Sequence, residues 1–208
     1  FASAFVNSGQ VCMSIKRIYV QSNIYEEMCG ELARLADSAK VGDGQDPETQ
    51  FGPVQNRRQF EAVKELLEEA PRHGRVIAGG RAWGPGYFVQ PTLLCDITEG
   101  NRLVDEEIFG PIRSILKFES VDEAVQRANA SPYGLGASVW SQNIERAVAI
   151  ASRLEAGSAW VNQHFAMAPH IPFGGVKQSG VGVEFSREGL NEYTYAQSVV
   201  LAKNAFAA

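Results

Sequence analysis

The chain has 208 residues, 45% of them hydrophobic and 21% charged, with a formal net charge of −5. That composition is that of a globular protein with a real core. No run approaches the roughly 18 uninterrupted apolar residues of a membrane-spanning helix, and the Lys and Arg residues are scattered instead of forming a basic stripe, so neither a membrane role nor a nucleic-acid partner is expected.

In chain order, Ile18-Tyr19-Val20 is a short β-branched and aromatic run that predicts a strand, and the pattern from Ile24 to Ala39 predicts a helix. Val41 through Pro53, rich in Gly, Pro and Asp, predicts a loop, and Arg57 to Glu69 returns to helical spacing that Pro71 is expected to end. Arg75 to Ala78 predicts a strand, Tyr87 to Leu94 extended structure placed by Pro91 at an edge or a strand start, and Ile112 to Phe118 a further strand. Ser120 is a predicted cap for a helix over Val121 to Asn129. A strand over Leu135 to Trp140, a helix over Asn143 to Leu154 and a strand over Ser158 to Asn162 follow. Strands alternating with helices of about a dozen residues predict an α/β layered fold with a mostly parallel sheet. The alternating stretch Tyr193 to Lys203 has no helix after it and predicts a strand that pairs outside that sheet, with another subunit.

The three cysteines, Cys12, Cys29 and Cys95, are odd in number and show neither CxxC nor His-linked spacing. A disulfide framework and a metal site are therefore not expected, and a reducing, cytoplasmic compartment is. The opening Phe1-Ala2-Ser3-Ala4 has no Met, basic n-region or apolar h-region, so the chain is expected to be a piece of a longer protein.

A lone cysteine is most often a small buried hydrophobe, and Cys29 and Cys95 keep that reading. Cys12 differs in its company. Gly9-Gln10-Val11-Cys12, Glu106-Glu107-Ile108-Phe109-Gly110-Pro111 and Pro172-Phe173-Gly174-Gly175-Val176-Lys177-Gln178-Ser179-Gly180 resemble, in order, the signature blocks of the aldehyde dehydrogenase superfamily. Arg17, Gly86 through Thr92, Tyr133-Gly134-Leu135 and Trp160-Val161-Asn162 add to the resemblance, which runs from the first residues to Lys203.

The resemblance implies a layered α/β/α catalytic domain over 1–192 and an oligomerisation strand and tail over 193–208. It makes Cys12 the catalytic nucleophile, adding as thiolate to an aldehyde and later leaving as a thioester, two steps that suit sulfur. It gives Glu107 to the nicotinamide ribose hydroxyls and Phe109 to the nicotinamide, and it places Asn162, Met167 and Phe173 in the substrate funnel. A carboxylate suits a diol because it offers two acceptor oxygens. Met167 stands where many family members carry an aromatic, which leaves the aldehyde open. His164 and His170 read as solvated or internally satisfied.

NAD or NADP is the implied cofactor, bound mainly by a dinucleotide-binding half that the sequence lacks, since no GxGxxG follows a strand. A general-base glutamate in a Glu-Leu-Gly-Gly-type block and the second oxyanion donor are also absent. The expectation is thus an NAD(P)-dependent aldehyde dehydrogenase, a homodimer or homotetramer as a complete protein, of which this piece alone is inactive. Three alternatives stay open: a CoA-acylating enzyme, a non-catalytic module docking to complete subunits, and an unrelated thiol hydrolase with a histidine beside Cys12.

Overall fold

Two runs are buried almost without interruption, Thr92–Cys95 and Ile112–Phe118, and they form the middle strands of the main sheet in the computed structural model, which describes residues 1–202. The described chain begins with α1 (Ala2–Phe5), followed by β1 (Arg17–Gln21), α2 (Tyr25–Asp37), α3 (Arg57–His73), β2 (Arg75–Ala78), β3 (Ala82–Trp83), β4 (Phe88–Val89) and β5 (Thr92–Cys95). It continues through α4 (Arg102–Asp105), β6 (Ile112–Phe118), α5 (Val121–Asn129), β7 (Tyr133–Gly134), β8 (Gly136–Val139), α6 (Ile144–Ala151) and β9 (Ser158–Val161). The last elements are β10 (Phe173–Gly174), β11 (Val176–Lys177), β12 (Val183–Glu184) and α7 (Ser186–Asn191).

The sheet order is β1-β6-β5-β2, with β6 parallel to both β1 and β5 and β2 antiparallel at the edge. Successive side chains of a strand point to opposite faces, and this alternation builds the layers. Leu94, Ile112 and Leu116 meet the α3 stripe of Phe60, Val63, Leu66, Leu67 and Ala70 on one face. Leu93, Cys95 and Ile115 meet the α2 stripe of Tyr25, Cys29, Leu32 and Ala36 on the other. Both stripes recur at the three- and four-residue spacing of one helix face, so the expected α/β/α arrangement with a parallel-rich sheet is present.

A second parallel pair, β8 and β9, lies beyond the main sheet, and α6 buries Ala147 and Ala151 beside it. Short antiparallel pairs, β7 with β11 and β10 with β12, bring the Pro172–Gly180 segment back onto this unit. Gly157 sits where any Cβ would overlap the Gly174 carbonyl, so backbone meets backbone there.

Two expectations are corrected, and a third concerns a pairing that a single chain does not contain. The α3 helix passes through Pro71 to His73, because Ala70 is buried against the sheet and the Gly74 N–H still closes on its carbonyl at 3.1 Å. In the last turn, Pro71 deprives the helix of one bond without unwinding it. The Leu135–Trp140 strand is divided: Tyr133–Gly134 pairs with β11, and the chain crosses at Leu135 to pair Gly136–Val139 with β9. Residues 194–202 are exposed and belong to no strand of this chain, while Lys203 and the rest of the tail lie outside the described residues. A strand needs a partner for its N–H and C=O groups, and the partner expected for this one was a second subunit.

Candidate active site

The turn before Cys12 is built from left-handed residues. Asn7, Ser8 and Gly9 have φ of 50°, 56° and 74°. Such a run is costly for side-chain-bearing residues, and three anchors hold it. Ser8 Oγ donates to the Gly52 carbonyl at 2.7 Å, Gln10 Oε1 accepts from the Gln55 N–H at 2.8 Å, and Asn7 Nδ2 donates to the Gln10 carbonyl at 3.2 Å. A Cβ at Gly9 would overlap the Gly110 carbonyl and the Arg113 guanidinium, so the turn is pressed directly against the second signature block. Cys12 stands exposed at its crest, whereas Cys29 and Cys95 are buried in the core.

The Glu106–Pro111 block follows α4. Glu106 is drawn into an ion pair with Arg102 at 3.4 Å, while Glu107 is exposed, with no ion pair among the described residues. Gln59 Nε2, on α3, donates to the carbonyls of Ile108 (2.6 Å) and Phe109 (3.2 Å). Phe109 takes a left-handed backbone (φ 50°), which turns its ring outward, 40% exposed, while Ile108 is buried. A free carboxylate and an exposed aromatic face thus share the block that touches the cysteine turn. A carboxylate that accepts from two hydroxyls fits a ribose diol, and the aromatic face fits a nicotinamide ring.

The three residues expected in the funnel lie beyond the end of β9, in the loop that follows it and in β10. Met167 is exposed in the loop after β9, and Phe173, half-buried in β10, pairs with Glu184. Asn162 has φ 52°, and its carboxamide is engaged at both ends: Oδ1 accepts from the Ser141 N–H and Nδ2 donates to the Ser141 carbonyl, each at 2.8 Å. It joins the loops beyond β8 and β9. Lys177 Nζ donates to the carbonyls of Asn129 and Ser131 and pairs with Glu155 at 2.7 Å.

Three residues beside the cysteine turn carry more than their sequence setting suggested. His164 is half-buried between the rings of Trp160 and Phe165, with its Nε2 2.8 Å from the Met13 carbonyl, one residue past Cys12. That bond places the proton on Nε2 and leaves Nδ1 buried without a partner among the described residues. Burial lowers its pKa. Lys16 Nζ donates to the Leu103 carbonyl at 3.1 Å, and burial, reinforced by Arg113 and Arg17, lowers its pKa to about 7. Arg113, 2% exposed, points from β6 into the base of the turn, and burial lowers its pKa to about 10. The signal for Arg113 was a charge in the middle of an apolar strand, Ile112-Arg113-Ser114-Ile115. The contacts of His164 had no such signal.

Residues 1–199 match the sequence profile of the aldehyde dehydrogenase family. The chain is 42% identical over 197 residues to the betaine aldehyde dehydrogenase of Cereibacter sphaeroides, covering 94% of this chain and 41% of that protein. It is 40% identical over 199 residues to aldehyde dehydrogenase 1A1 of Gallus gallus, covering 95% of this chain and 39% of that one. Among solved structures, the NAD+ complex of aldehyde dehydrogenase from Bacillus cereus superposes with a TM-score of 0.92 at 40% identity, over 96% of this chain and 41% of that one. The chain therefore spans about two fifths of the length of these relatives.

Proposed function

Because the chain belongs to the aldehyde dehydrogenase family, we propose that it is the cysteine-bearing part of an enzyme that oxidises an aldehyde to a carboxylic acid with NAD or NADP. The single observation that carries this reading is the contact between an exposed cysteine turn and the Glu107–Phe109 block, sealed where Gly9 meets Gly110. Cys12 Sγ forms a bond to the aldehyde carbon, and the carbonyl electron pair moves to oxygen. The Cys12 backbone N–H, in a turn held by side-chain bonds, is one donor for that oxyanion, and the loss of such a donor costs about 3 kcal/mol. Glu107 would accept from the ribose hydroxyls of the cofactor, and Phe109 would pack near its nicotinamide. Bound there, the nicotinamide supplies the hydride acceptor. The acyl group then rests on Cys12 as a thioester, and water releases the acid and returns the thiol.

The base that activates that water and the second oxyanion donor are not in this sequence, so the chain by itself is inactive. In the complete gene product, aldehyde-dependent NADH or NADPH formation is expected, and it disappears in Cys12→Ala. Retention of that signal in Cys12→Ala, or turnover by the isolated chain, contradicts the reading. A product analysis separates free acid from acyl-CoA. The enzyme is further proposed to be a homodimer or homotetramer, a reading supported by the exposed Tyr195, Val199, Val200 and Leu201 at the C-terminal end.

A further inference from the structure

Arg113 is a buried cation, and every acceptor it meets is uncharged. Its Nε donates to the Ala4 carbonyl at 2.7 Å; Nη1 donates to the carbonyls of Gly110 (2.8 Å) and Ile112 (2.7 Å); Nη2 donates to the Gly9 carbonyl (3.2 Å) and to Ser14 Oγ (2.9 Å). A guanidinium has five N–H donors in a rigid fork, and all are used. The Phe5 ring lies 5.6 Å from its Cζ. Burying a charge without a counter-charge is strongly unfavourable unless its hydrogen bonds are complete, so this arrangement persists only because the acceptors stand where the fork needs them.

Those acceptors fall on two segments far apart in sequence. Ala4, Gly9 and Ser14 bracket Cys12 on both sides, and Ser14 Oγ in turn donates to the Ala4 carbonyl at 2.8 Å. Gly110 lies in the block that carries Glu107 and Phe109, and Ile112 follows it as the first residue of β6. The missing Cβ of Gly9 makes room for both Arg113 and the Gly110 carbonyl. One planar group thus spans the nucleophile turn and the cofactor block.

We propose that Arg113 is a positioning residue that locks the Cys12 turn and the Glu107–Phe109 block into one rigid unit, setting the separation between the thiol and the nicotinamide site. The inference rests on the reading of Cys12 as nucleophile given above.

Hydrogen exchange resolved along this chain tests it, with Arg113→Met, Arg113→Lys and a buried truncation outside both core clusters, Val125→Ala, compared with the parent sequence. In Arg113→Met, amides in 4–15 and in 106–112 exchange faster together, by about tenfold or more, while α2 and α3 keep their protection. Val125→Ala lowers the thermal midpoint without selecting those two segments. Arg113→Lys, with three donors and no fork, recovers at most one of them. Uniform acceleration along the chain in Arg113→Met, a change in only one segment, or full recovery of both in Arg113→Lys overturns the proposal. Exchange does not depend on the thiol's chemistry, so a retained activity in Cys12→Ala of the complete gene product is a separate failure, that of the nucleophile reading.

Discussion

Cys12 is exposed and Cys29 and Cys95 are buried, so in the folded chain a small alkylating reagent is expected to reach Cys12 first. Burial raises the Cys29 thiol and pushes Cys95 up to about 12, and it is the thiolate that reacts. Mass mapping after iodoacetamide treatment of the folded chain, long enough for a slowly reacting thiol, should find the label on Cys12 alone, with Cys29 and Cys95 modified only after denaturation; labelling of Cys95 ahead of Cys12 would contradict the buried placement. Lys16 gives a pH-dependent counterpart. Its folded pKa, about 7, lies below the ordinary 10.5, so between these values the unfolded chain holds the extra proton and stability contributed by this group rises with pH. Lys16→Met removes the cost of burying the cation. It should therefore stabilise the chain by a few kcal/mol at pH 7 and below, at about 1.4 kcal/mol per tenfold, and the advantage should vanish as pH approaches 10.5. The Leu103 carbonyl keeps a partner in that variant, because Ser114 Oγ donates to it at 3.0 Å. Denaturant midpoints of both proteins across that range check the slope, and a pH-independent difference counts against the assignment.

Among the elements, those whose local signals agreed with their tertiary setting were legible in advance. Arg75–Ala78 and Ile112–Phe118 form the strands expected, and Ser120 Oγ accepts from the Glu123 N–H at 3.2 Å as the cap of α5. Elsewhere packing overrode the local signal. Pro71 does not end α3 because Ala70 is already fixed in the core, and Leu135 leaves one ladder for another because Gly134 and Gly136 meet different partners. Close backbone approach makes the β9 end vulnerable. Gly157→Ala puts a methyl group into the Gly174 carbonyl, and since backbone and not a flexible side chain must shift, a loss of about 2 kcal/mol or more is expected. Thermal unfolding checks it; an unchanged midpoint would mean that β10 is not held against the start of β9.

Over the whole molecule, the apolar surface is distributed unevenly. Val199 and Val200 are 86% and 92% exposed in a stretch that has no strand partner in this chain, and contiguous exposed apolar residues of this kind mark interaction surfaces. The isolated chain should self-associate at high concentration, and Val199→Glu with Leu201→Glu should return it to a monomer in sedimentation; a wild-type chain that stays monomeric removes the basis for the oligomer proposal. The sequence by itself determined the family resemblance and the α/β class, and it singled out Cys12 as the cysteine proposed to react, because ordered signature blocks and hydrophobic periodicity are one-dimensional patterns. Tertiary structure alone decided that Arg113 joins two loops about a hundred residues apart, that His164 abuts the residue after Cys12, and that Asn162 is engaged by Ser141. These depend on which carbonyls the fold brings within about 3 Å of a donor, and hydrogen-bond reach is a property of space that spacing along a chain does not encode.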